Sequence, residues 1–374
     1  MSRSVSNAGT RLAGFGHRWL PFADAASADL SLSRLLRLSL FQFSTGMAIV
    51  LLTGTLNRIM VVELGQPASW VSLMLAIPLL MAPARALIGY RSDHHRSFLG
   101  WRRIPYLWSG TMMQFGGLAF MPFALILMIE PHSGPELLGP AAAMASFLLT
   151  GLGMHVAQTA GLALATDLAT EETRPRVVAL LYLMLLIGMI GSALIFAAAL
   201  EDFGYVRLIQ VIQSAAVITL VLNVVAMLKQ EARRPDLTDH SLARPTFGNA
   251  WQDFISLPKA RRLLWALGLG TMGFTMQDIL LEPYGAQVLG LSVSDTTLLT
   301  AMFASGMILA LILTSRRLDK GSDPIRVASA GVLIGITAFA FVILSAPFQA
   351  PALFQVGAAL IGLGNGLFAV GMLT

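Results

Sequence analysis

Long apolar stretches alternate with short polar loops along the whole chain, at roughly 36–61, 69–90, 104–129, 141–166, 177–200, 206–228, 263–288, 294–314, 326–346 and 352–374. Each is long enough to cross the hydrocarbon core of a bilayer as a helix. A backbone in lipid must satisfy its own polar groups, and a helix does so within one segment. The pattern therefore predicts an all-α polytopic membrane protein with about ten transmembrane helices.

One connection is longer than the rest. Residues 229–262 are rich in charge, proline and turn formers and separate a first bundle (36–228) from a second (263–374), with 1–35 preceding both. Within this loop Phe247, Trp251, Phe254 and Ile255 recur at helical spacing before Pro258. That spacing fits a short amphipathic helix on the membrane surface, or a loop packed on the helix ends.

Charge sets the expected orientation. Of 25 Lys and Arg residues, only Arg58, Arg85 and Arg207 lie away from one set of alternate loops and the amino-terminal segment, leaving 22 on a single side. Opposite loops carry Glu63, Glu130, Glu136, Glu201, Asp202 and Asp295 instead. The basic side is expected to be cytoplasmic, with the amino terminus there and no removable signal peptide. With 56% hydrophobic and 12% charged residues and a mean hydropathy of +0.72, most of the chain is solvated by lipid. The net charge of +5 is accordingly read as a topology signal and an attraction for anionic lipid headgroups, not for nucleic acid. The absence of cysteine excludes disulfides, thiolate metal sites and cysteine nucleophiles.

The loop after the second stretch holds Gly89, Asp93, Arg96, Arg102 and Arg103, and the loop after the eighth holds Arg316, Arg317, Asp319, Lys320 and Arg326. Equivalent loops in the two bundles point to a duplicated unit. Six spans, a long basic loop, further spans and these paired loops resemble the major facilitator superfamily. The spacer after Asp93 is longer than in the superfamily's usual motif and carries His94 in a basic position. The implied fold is two six-helix halves, the second of which is expected to be truncated, with four helices present. An aspartate at a helix end can pair with arginines and latch the halves in one state.

A closer resemblance rests on Leu20-Pro-Phe-Ala-Asp-Ala-Ala-Ser27, Leu35-Leu-Arg-Leu-Ser-Leu-Phe-Gln42, Gly54-Thr-Leu-Asn-Arg58, Ala86-Leu-Ile-Gly-Tyr-Arg-Ser-Asp93 and Gly100-Trp-Arg-Arg-Ile-Pro-Tyr106. These segments are similar to the PucC/LhaA family of phototrophic bacteria, the amino-terminal stretch favouring the LhaA branch. The resemblance implies a non-enzymatic assembly factor for light-harvesting complexes in the bacterial inner, intracytoplasmic photosynthetic membrane. It also implies light-harvesting polypeptides as partners, with the reaction-centre core as a further one, and bacteriochlorophyll or a carotenoid as cofactor. A proton-coupled secondary transporter working by alternating access is the alternative that the fold leaves open.

Polar groups inside the spans are the candidate sites, because each is costly in hydrocarbon. The superfamily likeness implies that the first, fourth, seventh and tenth helices line a central cavity. His155 and Gln158 share one face of the fourth. His155 could ligate the magnesium of a bacteriochlorophyll or relay protons; it could equally be hydrogen-bonded to a neighbouring helix. No other metal site is expected. Asn57 and Arg58 on the first span and Asn365 on the tenth are further cavity or gate candidates. Asp278 and Glu282 lie four residues apart before Pro283, and an ion pair from Arg58 to one of them is expected, either as a gate or as a clasp between halves. Glu282 is alternatively exposed at the interface. Arg85 either snorkels or pairs with Asp93 or Asp167, and Arg174 or Arg176 is the expected partner of Asp167. The glycine-rich run Gly362-Leu-Gly-Asn-Gly366 follows no strand and is read as helix packing.

Overall fold

The computed structural model of the chain describes residues 30–97, 99–129, 135, 137–234, 238, 246–318 and 320–373. In chain order the helices are α1 (Leu32–Glu63), α2 (Ala68–Asp93), α3 (Ile104–Ile129), α4 (Leu138–Leu168), α5 (Arg174–Ala199), α6 (Tyr205–Met227), α7 (Phe247–Ser256), α8 (Pro258–Leu289), α9 (Val293–Leu318), α10 (Pro324–Ser345) and α11 (Pro351–Leu373). Among the described residues there is no strand. Nine of these helices are long and apolar enough to cross a membrane. The remaining long one, α8, has 32 residues but carries Lys259, Arg261 and Arg262 at one end and Asp278 and Glu282 towards the other, which lowers its hydropathy.

Each bundle is built around one tightly packed pair, α3 with α4 and α10 with α11. Glycine makes both possible. A Cβ on Gly110 would lie 2.6 Å from the Ala157 amide nitrogen, and one on Gly331 would lie 2.6 Å from the Gly364 carbonyl. Backbones this close gain dispersion contacts that lipid cannot supply. The first bundle is completed by α6 packed on α3 and α1, and by α2 packed on α4. The halves meet where α5 and α1 face α9 and α8.

Burial differs sharply along the chain. In its most apolar window α1 is 72% buried, whereas α2 is 11% buried and leaves Trp70, Leu73 and Leu80 exposed. The central helix is also irregular, since Val50–Leu56 and Ile59–Glu63 are π-helical. Such turns widen the backbone spiral and recur at functional sites. Prolines interrupt its neighbours: α2 loosens into turns at Met81–Pro83, and α8 contains Pro283.

The surface segment is a helix. Thr246 caps α7 by accepting from the Asn249 amide at 3.4 Å, and Phe247 and Trp251 stack 6.2 Å apart, with Phe247 reaching Tyr90 at the end of α2 at 5.5 Å. No α7 residue is buried, so Trp251 and Phe254 remain exposed beside the bundle. The amino-terminal segment before residue 30, and Glu130, Glu136, Arg244 and Asp319, lie outside the described residues.

Candidate functional site

Two polar regions stand out, one between the halves and one at the end bearing the basic loops. Between the halves lie two adjoining cavities of about 200 and 210 Å³. Thr53 and Ile49 of α1 and Asp278 of α8 border both. The first adds Gln277, Glu282, Thr300 and Asn365 from the second half, and the second adds His155 and Gln158 from α4. Helices α1, α4, α8 and α11 thus contribute polar lining, as the superfamily likeness implies, and α9 adds Thr300. Asn365 is half-buried in the cavity wall.

The contact between α1 and α8 follows from Pro283. Lacking an N–H, it leaves the carbonyl four residues earlier, at Ile279, without a helical donor. Asn57 fills that vacancy: its side-chain amide donates to the Ile279 carbonyl at 2.9 Å and to the Asp278 carbonyl at 3.3 Å. The expected ion pair does not form. Arg58 instead pairs with Glu63 at 2.5 Å and donates to the Leu291 carbonyl at 3.4 Å. The reason is local geometry, because π turns bring residues five apart onto one face. Glu282 is not exposed at the interface either. It is 4% exposed, lies against Gly54, and accepts from the Thr300 hydroxyl at 2.7 Å, while its second oxygen is buried without a partner. Asp278 is half-buried and accepts from the Gln277 side chain.

His155 also bonds a backbone carbonyl of a neighbouring helix. Its Nε2 lies 2.9 Å from the carbonyl of Pro78, in the loosened part of α2. A carbonyl only accepts, so Nε2 carries the proton and Nδ1 bears the lone pair. That Nδ1 is buried and unpartnered. Nε2 is thus committed to Pro78, and the adjoining cavity of about 210 Å³ is below the 300 Å³ or so that sites for drug-sized ligands begin at. The residues around His155 therefore do not fit a bacteriochlorophyll in this geometry. Gln158 donates to the Gln42 side chain at 3.2 Å, joining α4 to α1. Among the described residues no cluster of three or more His, Asp or Glu side chains could hold a metal ion.

At the basic end the loop motif closes on itself. Arg103, 5% exposed, pairs with Asp93, with Asp167 at 3.0 Å and with the Ser92 hydroxyl at 2.7 Å. Arg102 reaches the same Asp167 at 3.6 Å. Asp167 thus takes its cations from the α2–α3 loop, not from Arg174 or Arg176, and Arg85 bonds the Thr159 hydroxyl at 3.2 Å rather than Asp93 or Asp167. Gly89 packs beside Thr159, whereas Arg96 and Lys320 are exposed.

One residue of this network has no local sequence signal. Glu231, just beyond α6, accepts from the backbone amides of Arg102, Arg103 and Ile104 at 2.7 to 3.1 Å and so caps α3 with a full negative charge. Next to it the Arg234 amide donates to the Gly100 carbonyl at 2.8 Å, and the Thr238 hydroxyl to the Ser97 carbonyl at 2.8 Å. The start of the inter-half loop is stitched to the α2–α3 loop.

Comparison with known proteins fits this architecture. The nucleoside transporter NupG superposes with a TM-score of 0.63 at 13% identity, over 91% of this chain and 81% of its own, which shows the major facilitator-type fold. "Protein PucC" of Rhodovulum sulfidophilum is 53% identical over 100% of this chain and 84% of its own length. The "Bacteriochlorophyll synthase 44.5 kDa chain" of Rhodobacter capsulatus is 26% identical over 75% of this chain and 63% of its own. The family model described as PUCC protein matches residues 55–374, the stretch that carries the whole basic network and every residue lining the two cavities except those of α1, and the chain belongs to that family.

Proposed function

We propose that this multi-pass membrane protein serves the assembly of light-harvesting complexes in the bacterial photosynthetic membrane, associating with light-harvesting polypeptides and handling bacteriochlorophyll. The observation that carries this reading is the PUCC family match over 55–374, supported by similarity to a relative whose name contains bacteriochlorophyll. The cavities between the halves are small and His155 is committed to Pro78, so the pigment and its polypeptides are met on the lateral helix faces, of which α2 is the most open. The basic loops support a cytoplasmic amino terminus. Because the chain has no cysteine, Lys320→Cys and Asp202→Cys give single labelling sites at opposite ends. An impermeant maleimide added to intact cells should label only the second.

The deciding experiment is an absorption spectrum, with mass spectrometry of bound protein, on the protein purified gently from its native membrane. Near-stoichiometric bacteriochlorophyll with light-harvesting polypeptides is expected. A colourless preparation without these partners overturns the reading.

A second reading, proton-coupled transport of a small solute, is favoured by one observation: Asp278 borders both cavities and Glu282 keeps a buried oxygen unpaired beside them. Under it, Asp278→Asn abolishes solute flux in proteoliposomes.

A further inference from the structure

A third hollow lies away from the interface between the halves. Where α3 begins and α6 ends, a groove of about 500 Å³ opens on the outer face of the first bundle, walled by Trp101, Ile104, Pro105, Trp108, Val224 and Met227. It sits at the ends of two spans, so it straddles the boundary between hydrocarbon and headgroups. Trp108 is 48% exposed there, at the depth that tryptophan favours in a bilayer.

The rim of the groove is cationic. Lys229 is exposed and has no acidic partner among the described residues. Its backbone is left-handed, with φ at 55°, a conformation in which glycine would be the unstrained choice, and it turns the chain at the groove mouth. Arg233 lies 5.1 Å over the Trp101 ring, a contact that leaves its charge uncompensated. Among the described residues the carboxylate at the rim is Glu231, whose oxygens are turned to the three amides at the start of α3, so that Lys229 and Arg233 outnumber it and leave the rim net positive. An apolar trough under a net-positive rim matches a molecule with an acyl chain and a negative head.

We propose that this groove binds one anionic phospholipid, its chain along Ile104, Trp108 and Val224 and its phosphate at Lys229 and Arg233. The lipid would brace the junction at which Glu231 holds the inter-half loop to α3. A site of this kind discriminates by headgroup charge and is independent of whether the central cavities transport anything.

The test uses the full chain in mild detergent. Native mass spectrometry is run with phosphatidylglycerol and phosphatidylcholine of matched chains, added in turn. Phosphatidylglycerol is expected to be retained one per protein and phosphatidylcholine not. Each basic residue near a membrane surface strengthens anionic lipid binding about fivefold, so Lys229→Gln with Arg233→Gln should weaken retention by roughly 25-fold. Arg316→Gln with Arg317→Gln, which removes equal charge from α9 at the same end, should leave it unchanged. In the unaltered protein, phosphatidylglycerol with brominated chains should quench tryptophan fluorescence more than brominated phosphatidylcholine, and Trp108→Phe should remove most of that excess. This quenching readout holds even where the double variant fails to fold. Equal retention of the two lipids, an equal loss in the α9 variant, or quenching indifferent to Trp108 overturns the proposal.

Discussion

The two ends of this molecule are held by different chemistry. At the basic end full charges meet: Arg103 joins Asp93 and Asp167, and Glu231 caps α3, all within the first half and the loop that leaves it. Between the halves the bonds are mostly neutral, with the Asn57 amide on the Ile279 carbonyl and the Thr300 hydroxyl on Glu282, and buried atoms of Arg58 and Glu282 are left over. Asp93 and Asp167 remain 49% and 38% exposed, so headgroups and water still solvate them. At the junction of the halves the surroundings are dry, and a charge pair there would be hard to part. Strong pairing thus makes one bundle rigid, while weaker, exchangeable bonds join it to the other.

Four substitutions press on this contrast. Arg103→Gln should be the most damaging, lowering stability by about 2–3 kcal/mol, because it breaks a network around a buried position, leaving Asp93 without its cation and Asp167 with Arg102 alone; thermal unfolding in detergent measures it, and a loss below that of the other variants would dissolve the distinction. Glu231→Gln should cost about 1–2 kcal/mol, as the amide keeps some capping bonds but loses the charge on the α3 terminus. Its signature is faster hydrogen exchange at the Arg102, Arg103 and Ile104 amides. Asn57→Leu should cost about 1 kcal/mol, the usual scale for a polar contact between helices in lipid. It should leave exchange at those three amides untouched, and any change there would couple the two ends. Glu282→Gln should shift stability by less than about 0.5 kcal/mol or raise it, since the amide retains an acceptor for Thr300 and removes a buried charge. The same chemical change at positions 231 and 282 therefore has opposite consequences.

Much of this architecture was readable from the chain. Spans are legible because apolar length is a local property, and the expected 104–129 coincides with α3 as found. The loop motif was legible too, since Asp93, Arg102 and Arg103 are close in sequence. Partners across helices were not. Asp167 draws on Arg103, 64 residues away, and Glu231 on a helix end 127 residues away, and neither distance leaves a periodic trace. Arg58 failed in the opposite sense: a long-range partner was expected, and the π turns supplied Glu63 five positions on. That turn type has no composition signature of its own. Asn57 follows a rule that could have found it, for it bonds the carbonyl that Pro283 leaves without a helical donor.

The Arg58–Glu63 pair bears on how the protein is made. The helix carrying it is made before α2 to α11 and is the most enclosed of the nine spans. Asn57 and Arg58 then wait for acceptors at 278, 279 and 291, which are synthesised more than 200 residues later. A lone arginine offered to the translocation channel would resist entry into lipid. With Glu63 already beside it, Arg58 enters as half of a net-neutral pair, and that pair would act as an escort during insertion before it serves as a contact in the mature protein.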